Sequence, residues 1–168
     1  MPRTKRIAVG ALFGVVIFVS KMGLPTPIDK MFIFVEALLL ALGSFVLGGV
    51  GATYVASIAG LLTTLWRPSF APFSLIFAIL YGMLVDVLFY LVKVRTSSGN
   101  IRTGRLVISL TLSTAAIGLL STYVMVTIGL MPMMTILYLI ILIGGIINGV
   151  VAGYIASFIW NRYLKNLK

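Results

Sequence analysis

From Met31 to Trp66 the chain runs for 36 residues, MFIFVEALLLALGSFVLGGVGATYVASIAGLLTTLW, with one charge, Glu36. A single helix of that length would reach ~54 Å at 1.5 Å per residue, against a hydrocarbon core of ~30 Å. Gly43, Gly48, Gly49 and Gly51 fall near its middle, where the chain has to turn. The stretch therefore predicts two short membrane helices folded back on each other. Such a hairpin returns Glu36 and Trp66-Arg67-Pro68 to the same face.

The rest of the chain agrees in kind. It is 61% hydrophobic and 10% charged, with mean hydropathy +1.18, which predicts one integral membrane domain over 1–168. Without Cys or His it has no disulfide, thiolate, imidazole acid–base group or His-ligated metal. Only three carboxylates are present, Asp29, Glu36 and Asp86, and no G-x-x-x-x-G-K-[ST] loop. Hydrolase and ATPase chemistry are not expected, and no catalytic residue, cofactor or metal is assigned. The net charge of +10 sits at helix ends rather than in one patch, so topology and not nucleic acid explains it. The head MPRTKRIAVGALFGVVIF joins basic residues to an apolar run. It lacks an A-x-A-like cleavage step and stays apolar to Leu24, so it reads as a retained first helix.

Six spans are expected, at about 7–24, 31–47, 51–66, 70–92, 106–129 and 133–160, giving an all-α membrane fold. Gly23 and Pro25 end the first, Pro72 suits the first turn of the fourth, and Pro132 marks a turn before the sixth. Lys93 to Arg105 is the only long polar segment. Six spans put Arg3, Lys5, Arg6, Lys93, Arg95, Arg102, Arg105, Arg162, Lys165 and Lys168 on one face. Only Lys21, Lys30 and Arg67 remain for the other, so both termini are expected in the cytoplasm and the chain in the plasma membrane. Trp66 then lies at the outer interface, and Trp160 with Tyr163 at the inner one. Glu36 and Arg67 face outward.

Glu36 lies about five residues into its helix, ~8 Å deep by helical rise. An ionisable group there costs roughly 2.5–3.5 kcal/mol unless paired or hydrated, which makes it a binding candidate. A structural pair with Lys21, Lys30 or Arg67, or a hydrated interface, would also account for it. Asp86, near the inner end of the fourth span, is expected to pair with Lys93 or the basic loop, or to touch a cytoplasmic partner, in preference to binding substrate. Trp66, Arg67, Tyr54, Phe70 and Phe73 suit a flat, partly polar ligand, although interfacial anchoring explains Trp66 almost as well. Tyr123, Tyr138 and Asn148 are polar groups in apolar helices and should face protein or a cavity. The candidate substrate-binding residues are thus Glu36, Trp66, Arg67, Tyr54, Tyr123, Tyr138 and Asn148. Small residues recur at helical spacing: Gly145, Gly149 and Gly153 beside Ala152 and Ala156, and Gly10 and Gly14 beside Ala8 and Ala11. Such rows let helices approach closely, within one chain or toward another subunit.

With its size, six spans, small-residue first helix and the run Gly48-Gly49-Val50-Gly51-Ala52, Leu61-Leu62, Arg67-Pro68, Pro72 and Leu80-Tyr81-Gly82, the chain resembles a substrate-binding S subunit of the energy-coupling-factor vitamin transporters. The resemblance covers nearly the whole length at the level of pattern. It implies capture of a vitamin or related micronutrient from outside, and toppling on a transmembrane coupling subunit driven by two ATPases. It also implies docking through small residues of the first helix, here Ala8, Gly10, Ala11 and Gly14. In the family that motif is built on alanines; here Gly10 and Gly14 carry the spacing, and Ala8 and Ala11 are three apart. A thiamine-like or pyrimidine ligand would suit Glu36 and the aromatics; a carboxylated one would suit Arg67 or Lys21. A structural or assembly subunit of a larger membrane complex, without ligand, is the competing expectation.

Overall fold

In an apolar medium a chain of Leu, Ile, Val, Ala and Phe must satisfy its own backbone N–H and C=O groups, and the helix does so locally. The structure, a computed structural model, describes residues 3–23, 33–68, 71–96, 99–130 and 134–164. Leu24, Pro25, Asp29, Lys30, Met31, Phe70, Pro132, Lys165 and Lys168, named above, lie outside those residues, as does the side chain of Arg3. The described residues form six α-helices and no β-strand: α1 Arg3–Met22, α2 Phe34–Leu47, α3 Gly51–Trp66, α4 Phe73–Leu91, α5 Thr103–Thr127 and α6 Thr135–Ile159. A π-helical turn, Trp160–Leu164, continues α6. Three of these, α4, α5 and α6 with its extension, are long and apolar enough to cross a membrane. The apolar helices α2 and α3 have 14 and 16 residues, about 21 and 24 Å by helical rise.

Each helix runs back along the one before it, and glycines set the spacing. A Cβ on Gly145, Gly149 or Gly153 of α6 would lie 3.0 Å from Ala115 Cα, 2.5 Å from Thr111 Cα or 2.8 Å from Val107 Cα of α5. The α6 stripe is thus the α5–α6 contact. On α1, Gly10 and Gly14 are buried, and a Cβ there would fall 2.6 Å from Leu47 Cδ1 or 2.8 Å from Ile58 Cβ. These two glycines seat α1 on α2 and α3 of the same chain. Of the four residues named for docking, Ala8 is exposed and Ala11 half-buried.

One end of the bundle is held by polar side chains on helix termini, whose last N–H and C=O groups have no partner within the helix. Asp86 of α4 accepts from Ala52 N (3.1 Å) and Thr53 N (2.8 Å) in the first turn of α3, and from Thr53 Oγ1 (2.8 Å). This corrects the expected pairing with Lys93: the carboxylate is held by two backbone amides at the positive end of a helix dipole and by the Thr53 hydroxyl. Arg95 donates to Ser44 O (3.2 Å) and to Phe45 O, closing the C-terminus of α2, and lies over the rings of Phe45 and Trp160. Partial burial, and after it the charge of Arg6, lowers the Arg95 pKa, yet a guanidinium keeps its proton. Arg105 does the same for α4, donating to Val92 O at 3.1 Å. Asn161 ties the α4–α5 loop to α6 by bonds to Ile101 N and O. Beneath them Phe45 packs on Phe89 and Trp160, centroids 5.4 and 5.2 Å apart.

Candidate functional site

The opposite end of the bundle is built differently. There the last turn of α1, the start of α2, the end of α3, the first half of α4, the second half of α5 and the first half of α6 line a half-open cavity of ≈ 130 Å³. Lys21 sits in the last turn of α1 and reaches across to α2, its Nζ 2.7 Å from Glu36 Oε2. Glu36 is buried while Lys21 keeps partial contact with solvent, so the pair spans from the interior to the rim. Arg67, the residue that ends α3, donates to Lys21 O at 3.1 Å. The end of α1 is thereby gripped twice, through its side chain by α2 and through its backbone by α3.

Deeper in, Phe77, Ile117, Met125 and Ile141 give the cavity an apolar wall. Tyr81, just over two turns into α4, also lines it. Tyr81 is 2% exposed, and its hydroxyl has no hydrogen-bond partner among the described residues. A buried orphan hydroxyl costs about 1–3 kcal/mol, and buried polar groups are overwhelmingly paired, so this one calls for a reason. The wall hydroxyls of Thr63 and Thr114 have already given their protons to the backbone. Thr63 Oγ1 donates to Ala59 O (2.8 Å), and Thr114 Oγ1 lies 2.7 Å from Leu110 O and 2.8 Å from Gly145 O. What remains to each is lone pairs.

Of the residues singled out in the sequence, Glu36 and Arg67 come together at this cavity, with Lys21 between them. The others lie elsewhere. Trp66 and Tyr123 are 52% and 62% exposed on the bundle's outer surface. Tyr54 occupies the first turns of α3, at the Asp86 end, where it borders a groove with Arg6 and Leu47. Tyr138 and Asn148 are half-buried on α6 and are not among the lining residues, although α6 contributes Ile141 and Gly145. Phe73, the first residue of α4, is half-buried. Sequence reasoning passed over Tyr81, Thr63, Phe77 and Thr114. Tyr81 appeared there only as part of Leu80-Tyr81-Gly82, and a tyrosine in an apolar helix gives no sign of an unpaired hydroxyl.

No protein-family model, curated protein or solved structure matches this chain.

Proposed function

We propose that this protein is the membrane-embedded, solute-binding subunit of an uptake transporter of the energy-coupling-factor type. In this reading all six helices span the bilayer. The end carrying Arg6, Lys93, Arg95, Arg102, Arg105 and Arg162 faces the cytoplasm together with both termini, following the excess of cations there. The cavity then opens outward, where a vitamin or related micronutrient arrives. Delivery falls to a transmembrane coupling subunit and ATPases, since the chain has no phosphate-binding loop of its own.

The observation that carries the reading is a cavity lined by the Lys21–Glu36 pair and by Tyr81, whose buried hydroxyl has no partner among the described residues. A few convergent polar groups on an otherwise apolar concavity are what small-solute sites require. The closed ion pair at 2.7 Å also fits the competing reading, an assembly subunit in which Glu36 serves structure alone. Purified protein screened by thermal shift and calorimetry against vitamins and their precursors separates the two. A specific ligand at 100-fold its dissociation constant stabilises the fold by ~2.7 kcal/mol. A panel without any shift, together with co-purification of a stable complex lacking ATPases, would sink the transporter reading.

A further inference from the structure

We propose that the end of the bundle around the α2–α3 turn holds the phosphate of an anionic phospholipid on Arg6, Lys93 and Arg95. The proposal is independent of what the cavity binds, and needs only that this end lies at a membrane surface, on either side. Two grooves flank the turn. One is lined by Arg6, Gly48 and Tyr54, the other by Gly49, Lys93 and Arg95. Arg95 joins them, because its Nη1 lies 3.8 Å from where Gly48 would carry a Cβ. Arg6 is near enough that its charge, after burial, disfavours the Arg95 cation. Among the described residues no carboxylate forms an ion pair with Arg6, Lys93 or Arg95. Asp86 also borders the second groove, but its oxygens accept from Ala52 N, Thr53 N and Thr53 Oγ1. Three cations therefore surround the turn against one carboxylate already held by α3.

Lys93 supplies a separate observation. α4 ends in a Schellman motif, with Lys93 N donating to Tyr90 O (3.3 Å) and Val94 N to Phe89 O (3.2 Å). The left-handed position of that motif, φ +51°, is Lys93 itself, where glycine is the usual choice and a side chain is strained. A cation needed only for topology has no reason to occupy the strained position of its loop. Residues held in such conformations cluster at ligand sites, and this one lines the groove with Arg95. The groove also carries Tyr90 and Leu91, 83% and 65% exposed, and Val50 in the turn is 71% exposed. Cations beside exposed apolar side chains suit a lipid, which brings a charged phosphate and apolar chains together; a soluble phosphate uses only the former.

Competition against a fluorescent phosphatidylglycerol, on purified full-length protein in neutral detergent, tests this. The competitors are phosphatidylglycerol, phosphatidylcholine, inorganic phosphate and octaglutamate. The variants are Arg6→Gln/Lys93→Gln, Lys93→Gly and Arg102→Gln/Arg162→Gln, with the thermal midpoint of each recorded. The last removes the same charge from exposed positions that line neither groove. Phosphatidylglycerol is expected to compete roughly tenfold better than phosphatidylcholine, and Arg6→Gln/Lys93→Gln to weaken binding roughly tenfold or more. Arg102→Gln/Arg162→Gln is expected to change it by less than about threefold, since those charges lie off the site. Lys93→Gly separates the site from the fold: it relieves the left-handed strain, so binding weakens while the midpoint holds or rises. Equal competition by the two lipids, or equal losses in the two double variants, overturns the proposal. So does wild-type binding in Lys93→Gly. Inorganic phosphate or octaglutamate competing as well as phosphatidylglycerol would assign the site to a soluble anion or an acidic protein segment, and overturn the lipid.

Discussion

A single oxygen separates two accounts of Tyr81. If the hydroxyl serves the fold, Tyr81→Phe removes a useful group; if it waits for a ligand, the unliganded protein gains by losing it. With no partner on the described residues, the second outcome follows: Tyr81→Phe raises stability by up to about 1–3 kcal/mol in the absence of ligand. Denaturation by guanidinium or heat in detergent measures it, and a loss of stability contradicts the assignment. Asp86 behaves in the opposite way. Asp86→Ala leaves the Ala52 and Thr53 amides without their acceptor and lowers stability by about 1–3 kcal/mol. Lys93→Ala, at an exposed position, changes it by less than about 0.5 kcal/mol. The reverse order would restore the Asp86–Lys93 pairing that the sequence suggested. At this scale the sequence was informative about charge and silent about partners. Glu36 stands out as the one charge in its stretch, and the structure places it against Lys21, one of three cations named for it. The orphan hydroxyl of Tyr81 and the committed protons of Thr63 and Thr114 exist only once the helices are packed.

The helices themselves were legible because apolar runs broken by glycine and proline leave little choice. The boundaries of α2 and α3 at Leu47, Gly51 and Trp66 coincide with the ends read from the glycine cluster and from Trp66-Arg67-Pro68. Elsewhere the ends moved by one to four residues for local reasons. α1 begins at Arg3 because basic residues are good helix formers, whereas the expected start at Ile7 followed hydropathy. α4 begins at Phe73 because Pro72 sits just outside as its N-cap. α5 ends when Gly129 takes φ +75°, with Leu130 N bonding back to Met125 O, a left-handed stop that glycine makes without strain. Pattern alone left the small-residue rows open between internal and external use, and the contacts of Gly10, Gly14 and the α6 glycines are internal. Gly149→Ala is therefore expected to destabilise by about 1–3 kcal/mol, since backbone of α5 lies in the way. Gly144→Ala on the same helix meets nothing within 4 Å and should be neutral or gain up to about 1 kcal/mol from helix propensity. Equal effects of the two would show that α5 and α6 do not meet through this stripe.

At the scale of the whole molecule, alternation of six helices puts Asp86, Arg95 and Arg105 at one end and the cavity at the other. That arrangement needs only the helix count and the loop lengths, which is why it could be read in advance. Which end faces which side of the membrane is a separate matter, resting on the cation excess. The absence of cysteine makes it measurable. Single cysteines at Gly99, exposed in the α4–α5 loop, and at Gly129, exposed at the end of α5, report by labelling of intact cells with an impermeant maleimide. Labelling at position 129 and protection at position 99 is the expected pattern; the reverse would invert the orientation and turn the cavity toward the cytoplasm.

Binding at the cavity is the claim on which the rest depends, and a calorimetric titration of the tightest compound from the vitamin panel tests it. The titration is run on wild type, Glu36→Gln, Thr63→Phe and Tyr123→Phe. Thr63 is a half-buried wall residue, so a phenyl ring there occupies the space a ligand needs, whereas Tyr123 is exposed away from the cavity. Saturable one-to-one binding is expected, unchanged in Tyr123→Phe, at least tenfold weaker in Glu36→Gln and abolished in Thr63→Phe. Wild-type affinity in Thr63→Phe, or no heat from any compound with wild type, would contradict it.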